Sequence, residues 1–215
     1  VYMNLYGELE EPGVSVNSEI PKNLVQNKLI AQEPFGKTKQ ILFGDTHVHT
    51  TYSTDAFFWS LPIMNGEGPH PISDACDFAR FCANLDFWVS TDHAEALTPR
   101  KWKSIKEAVR SCNAPTDTTD PDLVTFLGYE WTQVGTNAES HYGHKNVMFL
   151  DIEENKTPKR AIGAGGVATN GMRNTLPGQA TMLRPAGFLD FENTHRYFHF
   201  ISYAQELQGG KLCEE

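Results

Sequence analysis

At 215 residues, with 40% apolar and 21% charged side chains, the chain is long enough for one domain with a sizeable core and is neither disordered nor fibrous in composition. Its net charge of -9, with no basic stripe, argues against a duplex nucleic-acid surface, which must neutralise phosphates with clustered Lys and Arg. A small anionic substrate remains compatible with that charge, because divalent cations reverse the local sign, and no apolar run approaches the ~20 residues of a bilayer span.

The chain opens on Val1 without a basic-then-apolar leader: either a signal peptide has been removed or the sequence begins here. Residues 1–38 are polar and turn-rich (Glu11-Pro12-Gly13, Gln32-Glu33-Pro34) and read as an extended arm without periodicity, wrapping a domain that spans 39–215. From Gln40 the pattern becomes strand, loop, helix. The apolar run from Ile41 leads into a first strand. Ser73 reads as the N-cap of a helix whose inward face is Ala75, Phe78, Ala79 and Cys82. Leu85 to Thr91 has the look of a strand buried on both faces.

Thr98 then caps a second helix with Pro99 at its first position and Trp102, Ile105, Val109 and Cys112 along one side. Asn113 to Asp122 is loop, Leu123 to Tyr129 a third strand, and Asn146 to Leu150 a fourth. Ala161 to Gly171 is glycine-rich without apolar periodicity and lacks the Lys-Ser/Thr of a phosphate loop, so it is expected to be a flexible loop. A last helix, Asn193 to Gln208, places Tyr197, Phe200, Ile201, Ala204 and Leu207 on one face and stops at Gly209-Gly210. Buried strands alternating with amphipathic helices predict βα units and an α/β fold.

Several residues in this frame can carry chemistry. In an extended segment Asp45, His47 and His49 share one side, so the two imidazoles can grip one metal ion. V-S-T-D-H-A-E puts Asp92, His93 and Glu95 just past a buried strand, where α/β proteins build their sites. Glu130 lies among Tyr129 and Trp131; a buried carboxylate there needs a cation. His144 starts the fourth strand, and it meets Glu130 if strands three and four are antiparallel neighbours, with His141 as the competing ligand. Asp55 lies where a loop can fold back on the two histidines. A His, Asp and Glu donor set without thiolate suits Zn, Mn or Fe. Asp92, Glu95 and Glu130 are candidate catalytic carboxylates, whereas His70, His195 and His199 lack a comparable setting and read as surface or packing residues.

Four blocks, G-D-T-H-V-H-T, T-D-H-A-E, G-Y-E-W-T and G-H-K-N-V, give the region from Leu42 to Leu150 a specific likeness. The chain resembles the PHP (polymerase and histidinol phosphatase) superfamily of metal-dependent phosphoesterases, in particular a branch of uncharacterised, often exported bacterial proteins. The resemblance implies a distorted (β/α) barrel and a cleft with two or three divalent ions. It makes His47 and His49 ligands of a first metal, Glu130 a bridge to a second, His144 a ligand of the second, and Asp55 and His93 ligands of a third. It implies hydrolysis of phosphate mono- or diesters by a metal-bridging hydroxide. Two alternatives stand beside this: a metal-stabilised binding or structural component without turnover, or hydrolysis of a non-phosphate bond.

The family pattern continues with a later histidine and an Asp-x-His, and neither follows Leu150 here. We therefore expect only the N-terminal part of such a barrel, completed by a C-terminal remainder or second chain that covers the open strand edge. A periplasmic or secreted location goes with the branch. In an oxidising compartment Cys82 and Cys112 would be bridging neighbours, with Cys213 free to pair beyond the chain; the alternative is buried free thiols.

Overall fold

The computed structural model describes residues 21–33, 41–67, 70, 72–114 and 121–208. Strands β1 (Gly44–Val48), β2 (Phe87–Ser90), β3 (Val124–Gln133) and β4 (Gly143–Phe149) form one sheet in the order β1-β2-β3-β4. The first three are parallel and their connections carry helices, as parallel neighbours require; β4 returns antiparallel along β3. The architecture is thus mixed α/β, with the sheet curled into half a barrel. Asn146 on β4 donates its amide to the Thr46 carbonyl on β1 at 2.7 Å, although two strands lie between them.

Helices α2 (Thr54–Trp59), α3 (Ile72–Asp77) and α4 (Pro99–Asn113) follow the first two strands. Thr98 Oγ1 accepts from the Lys101 amide at 3.3 Å, and Trp102, Ile105, Val109 and Cys112 are all buried, so the cap and the apolar stripe of α4 act as their spacing predicts. Trp102 packs edge-on against Tyr129 of β3 and Phe149 of β4. This places the core on the outer face of the sheet and leaves the alternate residues of β3 for the inner one. Helix α5 (Val167–Asn170) leads into a second core that joins α2 to α6 (Leu176–Ala180), α7 (Arg184–Leu189) and α8 (Thr194–Glu206). The expected face of the last helix, Tyr197, Phe200, Ile201, Ala204 and Leu207, is buried. Tyr203 ties α8 to the loop after β1 by donating to the Tyr52 carbonyl at 2.7 Å.

Several expectations are corrected. Within the supposed extended arm, Lys22–Gln32 is a helix, α1, held by Asn84 Nδ2 donating to the Leu24 carbonyl at 3.0 Å and by a Lys28–Asp86 ion pair. Val25, Leu29 and Ile30 are exposed, so α1 has no core-facing stripe and its sequence shows no amphipathic period. The rest of the arm, residues 1–20 and 34–38, lies outside the described residues.

In α3, Ser73 is inside the helix rather than at its cap, and the inward residues are Ile72, Ser73, Cys76, Ala79 and Arg80, while Phe78 and Cys82 are exposed. The helix starts earlier than Ser73 implies and relaxes into a π-helical turn at Phe78–Cys82, which shifts the phase of its last turn. As a result the bridge to Cys112 comes from Cys76, with Cα atoms 6.0 Å apart, and not from Cys82. Cys213 lies outside the described residues.

The segment 161–171 is not a free loop: Ala161 and Ala164 are buried and α5 begins within it. The third and fourth strands are longer than the apolar runs that announce them, and β1 begins only at Gly44, with Leu42 and Phe43 exposed.

Candidate metal centre

The inner face of the β3–β4 hairpin supplies the first part of the site. Glu130 pairs with Asn146 and Thr132 with His144, so all four side chains share one face. Tyr129 and Trp131 take the other, which frees Glu130 from its aromatic neighbours. Gly128 allows the strands to close up there, since a Cβ would meet the Val147 carbonyl oxygen at 2.6 Å. Glu130 is buried, 1% exposed, and its Oε1 is in hydrogen-bond contact with His144 Nδ1.

The parallel strands bring the other donors. The Glu130 amide donates to the Asp92 carbonyl at 3.0 Å, which sets the end of β2 beside β3 and puts His93 next to Glu130. His47 Nε2 and His49 Nε2 lie 3.1 Å and 2.9 Å from Glu130 Oε2, and 2.7 Å from each other. His93 Nδ1 is 3.5 Å from the same oxygen, and its Nε2 is 3.5 Å from Asp55 Oδ2 in the first turn of α2. All six expected ligands therefore converge on one cleft.

They form three groups, each with donor atoms within 4.8 Å of one another: His47, His49 and Glu130; His49, Asp55 and His93; His93, Glu130 and His144. Every pair of groups shares one side chain, so the set is a closed ring. His141 belongs to none of them, nor do His70, which pairs with Asp74, or His195 and His199, which are ring neighbours on α8.

The charges are matched within the ring. Burial works to raise the Glu130 carboxyl, but His93, His144 and His49 outweigh it and hold it below the ordinary range. The hydrogen bond from His93 brings Asp55 down to about 2. Burial disfavours charge on His93, yet Asp55 and Glu130 outweigh that and raise it. His49 is pushed down by burial and by His93. Two imidazole nitrogens facing each other at 2.7 Å beside a buried carboxylate are a donor set that a divalent cation satisfies: nitrogen and oxygen ligands without thiolate.

Asp92 and Glu95 are placed differently from the sequence expectation. Asp92 is fully buried behind the ring, accepting from the Thr50 amide at 2.7 Å, the Thr50 hydroxyl at 2.8 Å and the Ser53 hydroxyl at 2.9 Å. It faces no cleft and cannot touch a substrate; it anchors the loop that carries His49. Burial pushes its carboxyl up, against three donors that favour the charged form. Glu95 is also buried and accepts from the amides of Thr132 (3.1 Å) and Ala164 (2.7 Å), stapling the 160s segment to β3. Burial pushes its carboxyl up as well.

Three residues were missed. Ser53 Oγ gives its proton to Asp92, accepts from the His93 amide at 3.0 Å and lies 2.8 Å from His49 Nδ1. Thr132 Oγ1 stands between His93 Nδ1 (2.9 Å) and His144 Nδ1 (3.2 Å). Asn146 holds β1 in place. For Thr132 a signal existed, since it is two residues beyond Glu130 in an extended run. Ser53 sits at the N-cap position of α2 and reads as a cap, but its side chain makes no cap hydrogen bond because the hydroxyl is used by Asp92 and His49.

No helix of the described residues is long and apolar enough to cross a membrane. Comparison with curated proteins found no match, and comparison with solved structures found none. A family model described as Protein of unknown function (DUF3604) matches residues 36–100, the stretch that carries His47, His49, Asp55 and His93.

Proposed function

We propose that this chain carries most of a PHP-type metal centre and that the protein is a metal-dependent hydrolase of phosphate mono- or diesters. The observation that supports this reading is the closed ring, in which His49, His93 and Glu130 each belong to two of three donor groups. His47, His49, Asp55, His93, Glu130 and His144 would hold two or three ions of Zn, Mn or Fe. When bound, such ions polarise a phosphoryl oxygen and acidify a water for attack on phosphorus. The protein's own part is orientation: Ser53 and Asp92 fix the ring of His49, Thr132 lies between two of the imidazoles, and Glu130 keeps them on a shared negative charge.

The barrel belongs to the same proposal. Among the described residues β1 pairs only with β2, and the neighbouring Leu42 and Phe43 are exposed. Polypeptide outside the described residues, or a second chain, would cover this edge. An edge without a partner among the described residues also favours one other reading, a metal-stabilised component without turnover. The Cys76–Cys112 bridge supports a periplasmic or secreted location.

Metal analysis of protein purified without chelator, combined with a panel of phosphomonoesters and phosphodiesters, tests the proposal. Two or three equivalents of metal and a hydrolysis that chelator abolishes and metal restores are expected. Retained metal with no turnover on any phosphate ester selects the non-catalytic reading.

A further inference from the structure

The ring of donors opens into a cavity of about 640 Å³ between α2, the end of β3 and the C-terminal helices. Asp55, His93, Thr132 and His144 form one end of it. The rest is mainly apolar, with Phe58, Met172, Leu176, Leu183 and Phe200 as the main walls and Trp59 and Met182 at the margin. Trp59 and Met182 are 62% and 77% exposed, a high figure for side chains of this size unless something apolar covers them. No Lys or Arg lines the cavity among the described residues, and apart from the ring its polar groups are Thr54, Thr132 and Gln179.

Resting on the hydrolase reading, we propose that the substrate of this centre is an ester carrying one bulky alkyl or aryl group, which lies in this cavity while the scissile group faces the ring. The size is that of a small-molecule site. The walls reject the competing substrate classes. A sugar hydroxyl or a second phosphate placed against the apolar walls leaves water with only Thr54, Thr132 and Gln179 to meet it, which is unfavourable, whereas a hydrocarbon gains by the same transfer. Met172 and Met182 are unbranched and adaptable, so they suit a class of apolar shapes rather than one. Continuity with the donor ring distinguishes this cavity from a patch that awaits another protein: three of the six ring residues are part of its lining.

The test uses two homologous series on the full protein loaded with zinc. In 4-nitrophenyl alkyl phosphate diesters, from methyl to octyl, the leaving group is constant, and kcat/KM is expected to rise about fourfold per methylene until the cavity is full. Alkylphosphonic acids of the same lengths, titrated by calorimetry, should show the same rise in affinity without any reaction. Leu176→Trp should end the rise at a shorter chain. If that variant fails to fold, Met182→Glu at the exposed rim serves instead and should flatten the slope. Turnover and binding that do not depend on chain length overturn the proposal and leave the hydrolase reading intact. Length-dependent phosphonate binding without turnover supports the apolar site and rejects the hydrolysis of diesters. Failure of both phosphonic-acid binding and turnover, as expected if polypeptide fills the cavity, rejects the proposal.

Discussion

Ser53 Oγ lies 2.8 Å from His49 Nδ1 and decides which tautomer that histidine adopts. The hydroxyl has one proton, and Asp92 takes it at 2.9 Å, so Nδ1 must be the donor to Ser53 and Nε2 keeps its lone pair toward Glu130 and His47. Ser53→Ala removes this orientation and leaves every proposed ligand in place. Zinc affinity measured by chelator competition is expected to fall about 10- to 100-fold, as for other partners that orient metal-binding histidines. An unchanged affinity would show that the loop positions His49 without the serine.

Glu130 and Asp55 should differ in how much metal they control. Glu130 is shared by two donor groups and Asp55 belongs to one. Metal analysis of Glu130→Gln is expected to find a larger loss of bound equivalents than in Asp55→Asn. Equal losses would mean that the groups do not act as separate sites.

The bridge between Cys76 and Cys112 closes 36 residues of chain. Removing such a crosslink costs about 2–4 kcal/mol through the freed unfolded chain. Urea unfolding of Cys76→Ser should show a loss of this size, and reductant should give a similar loss in the wild type. Cys82→Ser, at an exposed free thiol, should leave the midpoint in place.

Lys101 offers a pH-dependent test. Its Nζ is buried 3.4 Å from the centroid of the Tyr203 ring and 3.9 Å from Glu206 Oε2. Burial brings its pKa down to about 7, with Glu206 opposing the shift. In the unfolded chain the value is ~10.4. Between these limits the unfolded state holds a proton that the folded state lacks, so this group makes stability rise with pH from about 7 to ~10, and its penalty is complete below 7. Lys101→Met is expected to be more stable than the wild type by about 1–3 kcal/mol at pH 6, with the advantage shrinking toward pH 9 in urea titrations. A constant difference across that range would rule out titration of Lys101.

How far the sequence could be read depended on whether a residue's partner was local. The stripes of α4 and α8 were legible because 3.6-residue spacing alone decides which side chains turn inward. The meeting of Glu130 and His144 followed from the hairpin. The face of α3 was not legible, because the π-helical turn at Phe78–Cys82 moves its last residues out of phase, so that Cys76 and not Cys82 faces Cys112. Asp92 and Glu95 were expected in the cleft because they flank His93, but direction mattered more than proximity: both carboxylates turn into the protein to meet backbone amides. Likewise, nothing local distinguishes the 160s segment from a free loop, since its order comes from Glu95, about seventy residues earlier.

The mixed direction of the sheet also bears on the order in which the centre assembles. His144 reaches Glu130 across 14 residues of chain, whereas His47 reaches the same carboxylate across 83. Closing the longer loop costs about 1.6 kcal/mol more in chain entropy. The hairpin is therefore expected to form before the paired histidines of β1 arrive, and pulse-labelling hydrogen exchange should find β3 and β4 protected before β1. A chain interrupted before that last step already presents a carboxylate and an imidazole side by side, so nascent protein could capture an ion before the β1 histidines arrive.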